Sequence, residues 1–383
     1  MRVLVVNAGS SSLKLRVLDA DDRLLGQADL PALRGEFDEA AAAQAVRSLP
    51  EVEAVGHRVV HGGERYVEVT RITPEVVDAL RSLVPLAPLQ QPASLRGIVL
   101  IGELLPRTPQ VACFDTAFHS TLPAAARTYA VPEEWRRRFG LRRFGFHGLS
   151  HAWVARRAAE LLGEGARLLV SCHLGSGASL AAIAEGACVD TTMGFTPLEG
   201  LVMSTRSGSI DPGMLLWLQT TAGLTAREVL DALEQCSGLL GLCDSADMRE
   251  VLAAAARGDD RARLAIDVYV HRVAGSVGAM AVSLGGLSAI AFTGGVGESS
   301  AEIREAVCER LGLLGVELDR AANRGGEAGD RRIDAGGRAT AALVVRAREE
   351  RTIAAEVRRL SAAPAAHRSF RASGASPVAR RPR

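Results

Sequence analysis

Apolar and polar positions at the start of the chain fall into two strand-sized runs around a small polar turn. Residues 2–6 are largely β-branched and apolar, 7–12 are small and mostly polar, and 13–18 are again dominated by apolar residues. Such runs on either side of a Gly/Ser turn predict a β-hairpin. The pattern returns near mid-chain, where 167–172 predict a strand, 173–179 a small turn and 180–183 the start of another strand. Aligned, Asn7-Ala8-Gly9-Ser10 faces His173-Leu174-Gly175-Ser176. A strand–(Asn/His)-x-Gly-Ser–strand unit in each half predicts a duplicated domain with two loops of like purpose. Between the hairpins, 36–48 and 74–84 read as helices, 85–92 as a proline-punctuated loop, and 111–114 as a strand ending at Asp115. The periodicity of 150–162 predicts a helix with Ser150 as its N-cap. Farther on, the apolar strand 287–292 runs into Thr293-Gly294-Gly295-Val296-Gly297-Glu298-Ser299, which opens a helix over 301–311. Glycines ahead of a helix N-terminus let a ligand approach the backbone and its N–H groups, so this turn is a candidate nucleotide site.

A chain of 383 residues predicts two domains rather than one. With 48% apolar and 23% charged residues the composition is that of a globular enzyme. A net charge of +1 gives no basic field for nucleic acid. Apolar runs such as 168–172 and 287–292 fall far short of the ~20 residues of a spanning helix, so no membrane partner is expected. Residues 1–6 enter a strand directly, so no secretory signal is expected. Cys113, Cys172, Cys188, Cys236, Cys243 and Cys308 lack CxxC spacing and read as free thiols of a cytoplasmic protein. Arginine so displaces lysine that Lys14 is the only lysine, and Asn7 is one of only two asparagines. Both sit in the first hairpin, which draws attention to that loop.

The loop Asn7-Ala8-Gly9-Ser10-Ser11-Ser12-Leu13-Lys14 has the means to hold phosphate. Glycine lets it bend, serine hydroxyls and N–H groups reach oxygens, and one ammonium supplies charge. It lacks the GxxxxGK[ST] pattern and joins two strands, so it is either an ordinary polar turn or a phosphate hairpin of the kind found in both halves of actin-like ATPases. Arg58, in Gly56-His57-Arg58-Val59-Val60-His61-Gly62-Gly63-Glu64, and Arg206, in Met203-Ser204-Thr205-Arg206-Ser207-Gly208-Ser209, are candidates to neutralise a phosphoryl group. The alternative for any single arginine is the solvated surface. His147, in Gly145-Phe146-His147-Gly148-Leu149-Ser150-His151, is either an accessible donor or a structural histidine ahead of a helix. Asp115, in Phe114-Asp115-Thr116-Ala117-Phe118-His119, is either a contact to a metal or its water or a turn-initiating aspartate.

Taken in order, 5–14, 56–64, 114–119, 145–151, 172–177, 192–200, 206–212 and 292–298 resemble the acetokinase family of the actin-like ATPase superfamily. The resemblance runs from residue 1 to about residue 355. It implies an α/β protein of two duplicated actin-like (ribonuclease H-like) domains, each a mixed sheet flanked by helices, with the site in the cleft between them. The first domain is expected over 1–119 with a returning helix near 351–362, the second over 120–350, and 363–383 as a disordered basic tail. The implied activity is reversible phosphoryl transfer between ATP and acetate, giving ADP and acetyl phosphate, with Mg²⁺, or Mn²⁺ in its place, in a cytoplasmic homodimer.

The family's catalytic residues fall on Arg58, Asp115, His147 and Arg206. Its phosphate and nucleotide contacts fall on Asn7, Ser10, Ser12, Lys14, His173, Gly175, Ser176, Gly177, Asp247, Met248, Arg249, Gly295, Val296 and Gly297. Its acyl pocket falls on Val60, Leu89, Phe146 and Pro197, and its metal contacts on Asn7 and Glu349. Acetate is already ionised near neutral pH, so the chemistry asks for alignment and charge neutralisation more than proton transfer. The chain departs from the family at Gln90 and Gln91, where the family has His-Asn, at Ser176 and Ser299 in place of Asn, and at Ala347-Arg348 in place of Thr-Asn. Two other readings stay open: a propionate or butyrate kinase, and a weakly catalytic nucleotide-binding regulatory protein. A sugar kinase is disfavoured because the pocket offers hydroxyls few partners.

Overall fold

The computed structural model describes residues 1–9, 12–33, 35–325, 329–337 and 340–362. Two mixed sheets organise it. The first contains β1 (Val3–Ala8), β2 (Ser12–Leu18), β3 (Leu24–Leu33), β4 (Glu36–Phe37), β5 (Ala54–Val59), β6 (Thr70–Arg71) and β7 (Gln110–Phe114), in the order β4-β3-β2-β1-β5-β7-β6. The second contains β8 (Leu168–Leu174), β9 (Ala178–Ala184), β10 (Ala187–Thr191), β11 (Ala289–Thr293), β12 (Arg331–Arg332) and β13 (Ala341–Val344), in the order β10-β9-β8-β11-β13-β12. Without the edge strands β4, β6 and β12 the two orders coincide. In each, the opening hairpin is antiparallel and two parallel strands follow beside its first strand. The duplication read from the hairpins is therefore a duplication of sheet topology.

Both faces of each sheet are covered, which is why the central strands are apolar at nearly every position. In β1 the period of two splits the core: Leu4 and Val6 face the helices Glu39–Ser48 and Gln91–Leu104 through Ala42, Val46, Ala93 and Ile101. Val3 and Val5 face the other way, onto Ile353, Ala354 and Val357 of the helix Glu349–Ala362. The chain thus ends its described course packed on the sheet with which it began. The helix Gly148–Leu162 bridges the sheets, with Leu149 in the first sheet's core and Trp153, Val154 and Ala158 in the second's.

Three local readings are corrected. Residues 36–48 are not one helix: Glu36–Phe37 pairs as β4, and the helix starts at Glu39, capped by the Asp38 carboxylate, which accepts from the Ala40 and Ala41 N–H groups. The helix after His147 starts at Gly148 rather than Ser150, whose hydroxyl is spent on His173 instead of capping. Gly294–Ser299 is itself helical, ahead of the helix Ala301–Glu309. Among the described residues no helix is long and apolar enough to cross a membrane, and the six cysteines are free.

Candidate active site

The carboxyl ends of β1, β5, β7, β8 and β11 point into one cleft of about 1000 Å³, the place where parallel strands of open α/β sheets present ligands. From the first sheet come Asn7 near the end of β1, Arg58 in β5 and Asp115 immediately after β7. Arg58 donates from Nε and Nη2 to both Asp115 oxygens at 3.1, 3.2 and 2.6 Å. Its Nη1 donates to Asn7 Oδ1 at 3.3 Å, and Asn7 Nδ2 donates to Glu349 Oε2 at 3.1 Å. Glu349 opens the returning helix and stands 3.7 Å from Arg58. A buried charge is tolerated only when paired, and the Asp115 side chain is 1% exposed. Burial pushes the Asp115 carboxyl up while Arg58 opposes it. Burial also acts against the Arg58 cation, but Asp115 and Glu349 outweigh it and raise its pKa. For Glu349 burial is outweighed by Arg58, His173 and Lys14, so its carboxyl lies below the ordinary value. Lys14 faces Asn7 across the hairpin and lines the same cleft.

The second half contributes a different set, His147 ahead of a helix, His173 in β8 and Arg206 in a loop after β10. Asp115 shapes the loop that presents His147: its carbonyl accepts the Gly148 N–H at 2.9 Å, and a Cβ at 148 would stand 2.1 Å from that oxygen. Only glycine fits there, and His147 ahead of it takes the left-handed conformation, φ 56°. Such a backbone is uncommon for histidine and clusters at functional sites. The His147 ring stacks on His173 at 4.3 Å, and His173 Nδ1 pairs with Ser150 Oγ at 2.8 Å. Burial drives both imidazoles neutral, His147 well below its ordinary value and His173 to about 4. Arg206 donates from Nη1 to the Pro197 carbonyl at 2.6 Å. Burial brings Arg206 down to about 10, so it remains a cation at neutral pH. Both groups converge over Gly177, where a Cβ would be 2.7 Å from Arg206 Nη2 and 3.1 Å from His147 Nε2. Beside them Val60, Phe146 and Pro197 form an apolar wall. The Pro197 loop is braced by Glu199, which accepts from Tyr129 at 2.5 Å and from Arg143 at 2.7 Å.

The cleft therefore brings together Asn7, Ser12, Lys14, Arg58, Val60, Asp115, Phe146, His147, His173, Ser176, Gly177, Pro197, Arg206, Gly295 and Glu349. Ser10 lies outside the described residues. Leu89 is not on the lining; its neighbour Gln90 is. Gly175, Val296 and Gly297 are not on the lining, although their chain neighbours Ser176 and Gly295 are. Asp247, Met248 and Arg249 are also off the lining: Asp247 caps the helix Met248–Ala256, Arg249 pairs with it at 2.5 Å, and Met248 is buried in the core. Sequence reasoning missed Glu298, whose Oε1 accepts from the Gly294 N–H at 3.1 Å and the Ala347 N–H at 2.9 Å, tying the glycine turn to the segment before Glu349. It also missed Ser179 and His151 behind His147.

Two guanidiniums, one ammonium, neutral imidazole donors and paired carboxylates around an apolar pocket form a cleft suited to moving a phosphoryl group onto a small acid. With the duplicated sheets they define a kinase of the actin-like class. The profile of the acetokinase family matches residues 26–355, and the chain belongs to that family. An acetate kinase of Gloeobacter violaceus is 46% identical over 93% of this chain and 98% of its own length. An acetate kinase of Deinococcus deserti is 45% identical, covering 95% and 98%. The crystal structure of Porphyromonas gingivalis acetate kinase superposes with a TM-score of 0.85 at 37% identity, covering 94% of this chain and 99% of that one. A propionate kinase from Francisella tularensis also gives 0.85, at 34% identity and the same coverage.

Proposed function

We propose that the protein transfers a phosphoryl group reversibly between ATP and acetate, giving ADP and acetyl phosphate. The observation that carries this is the convergence of Arg206 and His147 over Gly177, in one cleft with the Arg58–Asp115 pair and with the apolar residues Val60, Phe146 and Pro197. In this reading Arg58 and Arg206 neutralise the equatorial oxygens of the transferring group, and His147 donates to it. Lys14, Ser12 and the backbone of the two hairpins hold the remaining phosphates. Asp115 keeps Arg58 oriented, and the apolar wall takes the methyl group of acetate. For the nucleotide we favour the Gly295–Gly297 turn, whose first residue borders the cleft.

A divalent ion, Mg²⁺ with Mn²⁺ as a substitute, would be held through Asn7 and Glu349. Their oxygens are hard donors, and among the described residues no group of three or more His, Cys, Asp or Glu could hold a metal. That donor set fits an ion bound mainly through phosphate and water. Its contribution when bound is charge neutralisation along the phosphates.

We further propose a division into 1–119 with 351–362, and 120–350. Support comes from the two sheets and from the return of the helix Glu349–Ala362 to the first. A homodimer is supported by the helix Pro212–Thr220, which buries none of its residues and leaves Leu216 64% and Trp217 56% exposed. The free thiols favour the cytoplasm. The relatives at 45–46% identity are acetate kinases, which supports acetate over propionate or butyrate as the acid. A hydroxamate assay with Mg-ATP, hydroxylamine and acetate, propionate or butyrate tests the whole. Acetyl hydroxamate is the expected product. ATP binding by calorimetry without any acyl hydroxamate would overturn the reading in favour of a non-catalytic role.

A further inference from the structure

Behind His147 a line of buried polar groups runs away from the cleft into the second sheet. His147 Nδ1 lies 2.9 Å from Ser179 Oγ, Ser179 Oγ lies 2.9 Å from His151 Nε2, and His151 Nδ1 lies 2.8 Å from Ser171 Oγ. Ser179, His151 and Ser171 are each 0% exposed. Ser171 and Ser179 project from β8 and β9, and His151 from the first turn of the helix Gly148–Leu162, so the line spans three elements of fixed geometry.

We infer that this line is a tautomer lock: Ser171, His151 and Ser179 hold His147 neutral with its single ring proton on Nε2, directed into the cleft. The inference rests on the reading that His147 faces the transferring group. Hydrogen counting decides the direction. A serine hydroxyl has one proton, so between two ring nitrogens Ser179 donates to one and accepts from the other. In one direction Ser171 donates to His151 Nδ1, His151 Nε2–H to Ser179, and Ser179 to His147 Nδ1. The last proton then sits on His147 Nε2, at the open end. In the reverse direction His147 donates inward, His151 donates to Ser171, and the Ser171 hydroxyl proton is left in the core. Among the described residues Ser171 Oγ has His151 as its partner and no second acceptor. A buried donor without an acceptor is a costly defect, so the outward direction wins.

Doubly protonated rings are opposed from every side. Burial is the main bar to a second proton on His147, and the facing groups His173, Arg58, His151 and Arg206 add to it. His151 is equally buried and faces His119 at 5.8 Å and His173 at 6.3 Å. The consequence for the site is a donor already aimed, which costs no reorganisation as charge develops on a phosphoryl oxygen. The opposite tautomer would turn a lone pair toward that oxygen. Ser179 and His151 are in this sense positioning residues; neither borders the cleft.

The test uses the whole chain labelled with [¹⁵N]histidine and long-range ¹H–¹⁵N correlation, His147 being assigned by the signals lost in His147→Gln. The expected result is a protonated Nε2 and a bare Nδ1, unchanged between about pH 8 and about pH 6. A proton on Nδ1, or an imidazolium in that range, overturns the inference. Ser179→Ala should mix the two tautomers and lower kcat about 10–100-fold, with each KM within about threefold. Ser179→Thr, which keeps a hydroxyl, should recover most of the rate. Wild-type kcat in Ser179→Ala would overturn the lock. Full activity in His147→Gln would instead remove His147 from the reaction and leave the wild-type nitrogen shifts as evidence for the lock alone.

Discussion

The two hairpins share a frame and differ in what they carry. Both turns are closed by a glycine N–H, Gly9 to Ser12 O at 2.9 Å and Gly175 to Gly177 O at 3.0 Å. The registers Ala8↔Leu13 and Leu174↔Ala178 make the first turn one residue longer. Asn7 and His173 hold equivalent places, yet Asn7 bridges Arg58 and Glu349 while His173 stacks on His147. Across the strands stand Lys14 in one and Ser179 in the other. The first hairpin therefore sits among full charges, and the second organises neutral imidazoles beside Arg206. Duplication supplied two similar backbones at the ends of two similar sheets, and the side chains divided the electrostatic task between them.

The sharpest way to break this contrast is to remove a charge that the second half supplies. Arg206→Ala is expected to lower kcat about 10³-fold or more, the scale on which arginines act in phosphoryl transfer. Hydroxamate formation measures it, with circular dichroism confirming an intact fold. A loss below tenfold would take Arg206 out of the reaction. Next in size is a matched pair of glycine substitutions. In Gly177→Ala the new methyl would press on Arg206 and His147 together, whereas at Gly9 an added Cβ meets only Ser12 O at 3.5 Å. We expect about a 10²-fold fall in kcat for Gly177→Ala and less than about threefold for Gly9→Ala. Equal effects would erase the asymmetry between the turns. In the first half, Asn7→Ala should raise the metal concentration for half-maximal rate about tenfold, because the residue orienting Glu349 is gone. A metal titration at saturating ATP and acetate checks this, and an unchanged midpoint would move the ion elsewhere.

How much of this was legible follows from the scale of each feature. The duplication could be read because a hairpin is local: two apolar runs and a small turn are adjacent in the chain. Asn7 and Lys14 could be found because a chain that otherwise avoids both residue types places them in one loop. The start of the helix after His147 could not be read locally. Ser150 looks like an N-cap, and what overrides it is the carbonyl of Asp115, which allows only glycine at 148. Ser179 was invisible for a similar reason, since a lone serine in an apolar strand has no local signature and gains its meaning from His147 and His151. At 89–90 the limit was one of direction. The helix begins at Gln91, and the turn before it decides whether Leu89 or Gln90 borders the cleft.

The smallest expected effect concerns the acyl pocket, whose walls come from both halves. Val60 follows β5 of the first sheet and is 6% exposed, while Pro197 comes from a loop of the second half held by Arg206 and Glu199. A pocket that meets a methyl group through packing alone discriminates weakly, about 10–200-fold per methylene. Val60→Ala removes two methyl groups from the first-half side without touching Arg58 or the second-half wall. We expect the ratio of kcat/KM for propionate over acetate to rise about tenfold, mainly through a lower KM for propionate. The acid series in the hydroxamate assay measures it. An unchanged ratio would mean that the second half alone sets the pocket's depth, and the shared construction of the acyl site would fail while the division of charges between the hairpins stood.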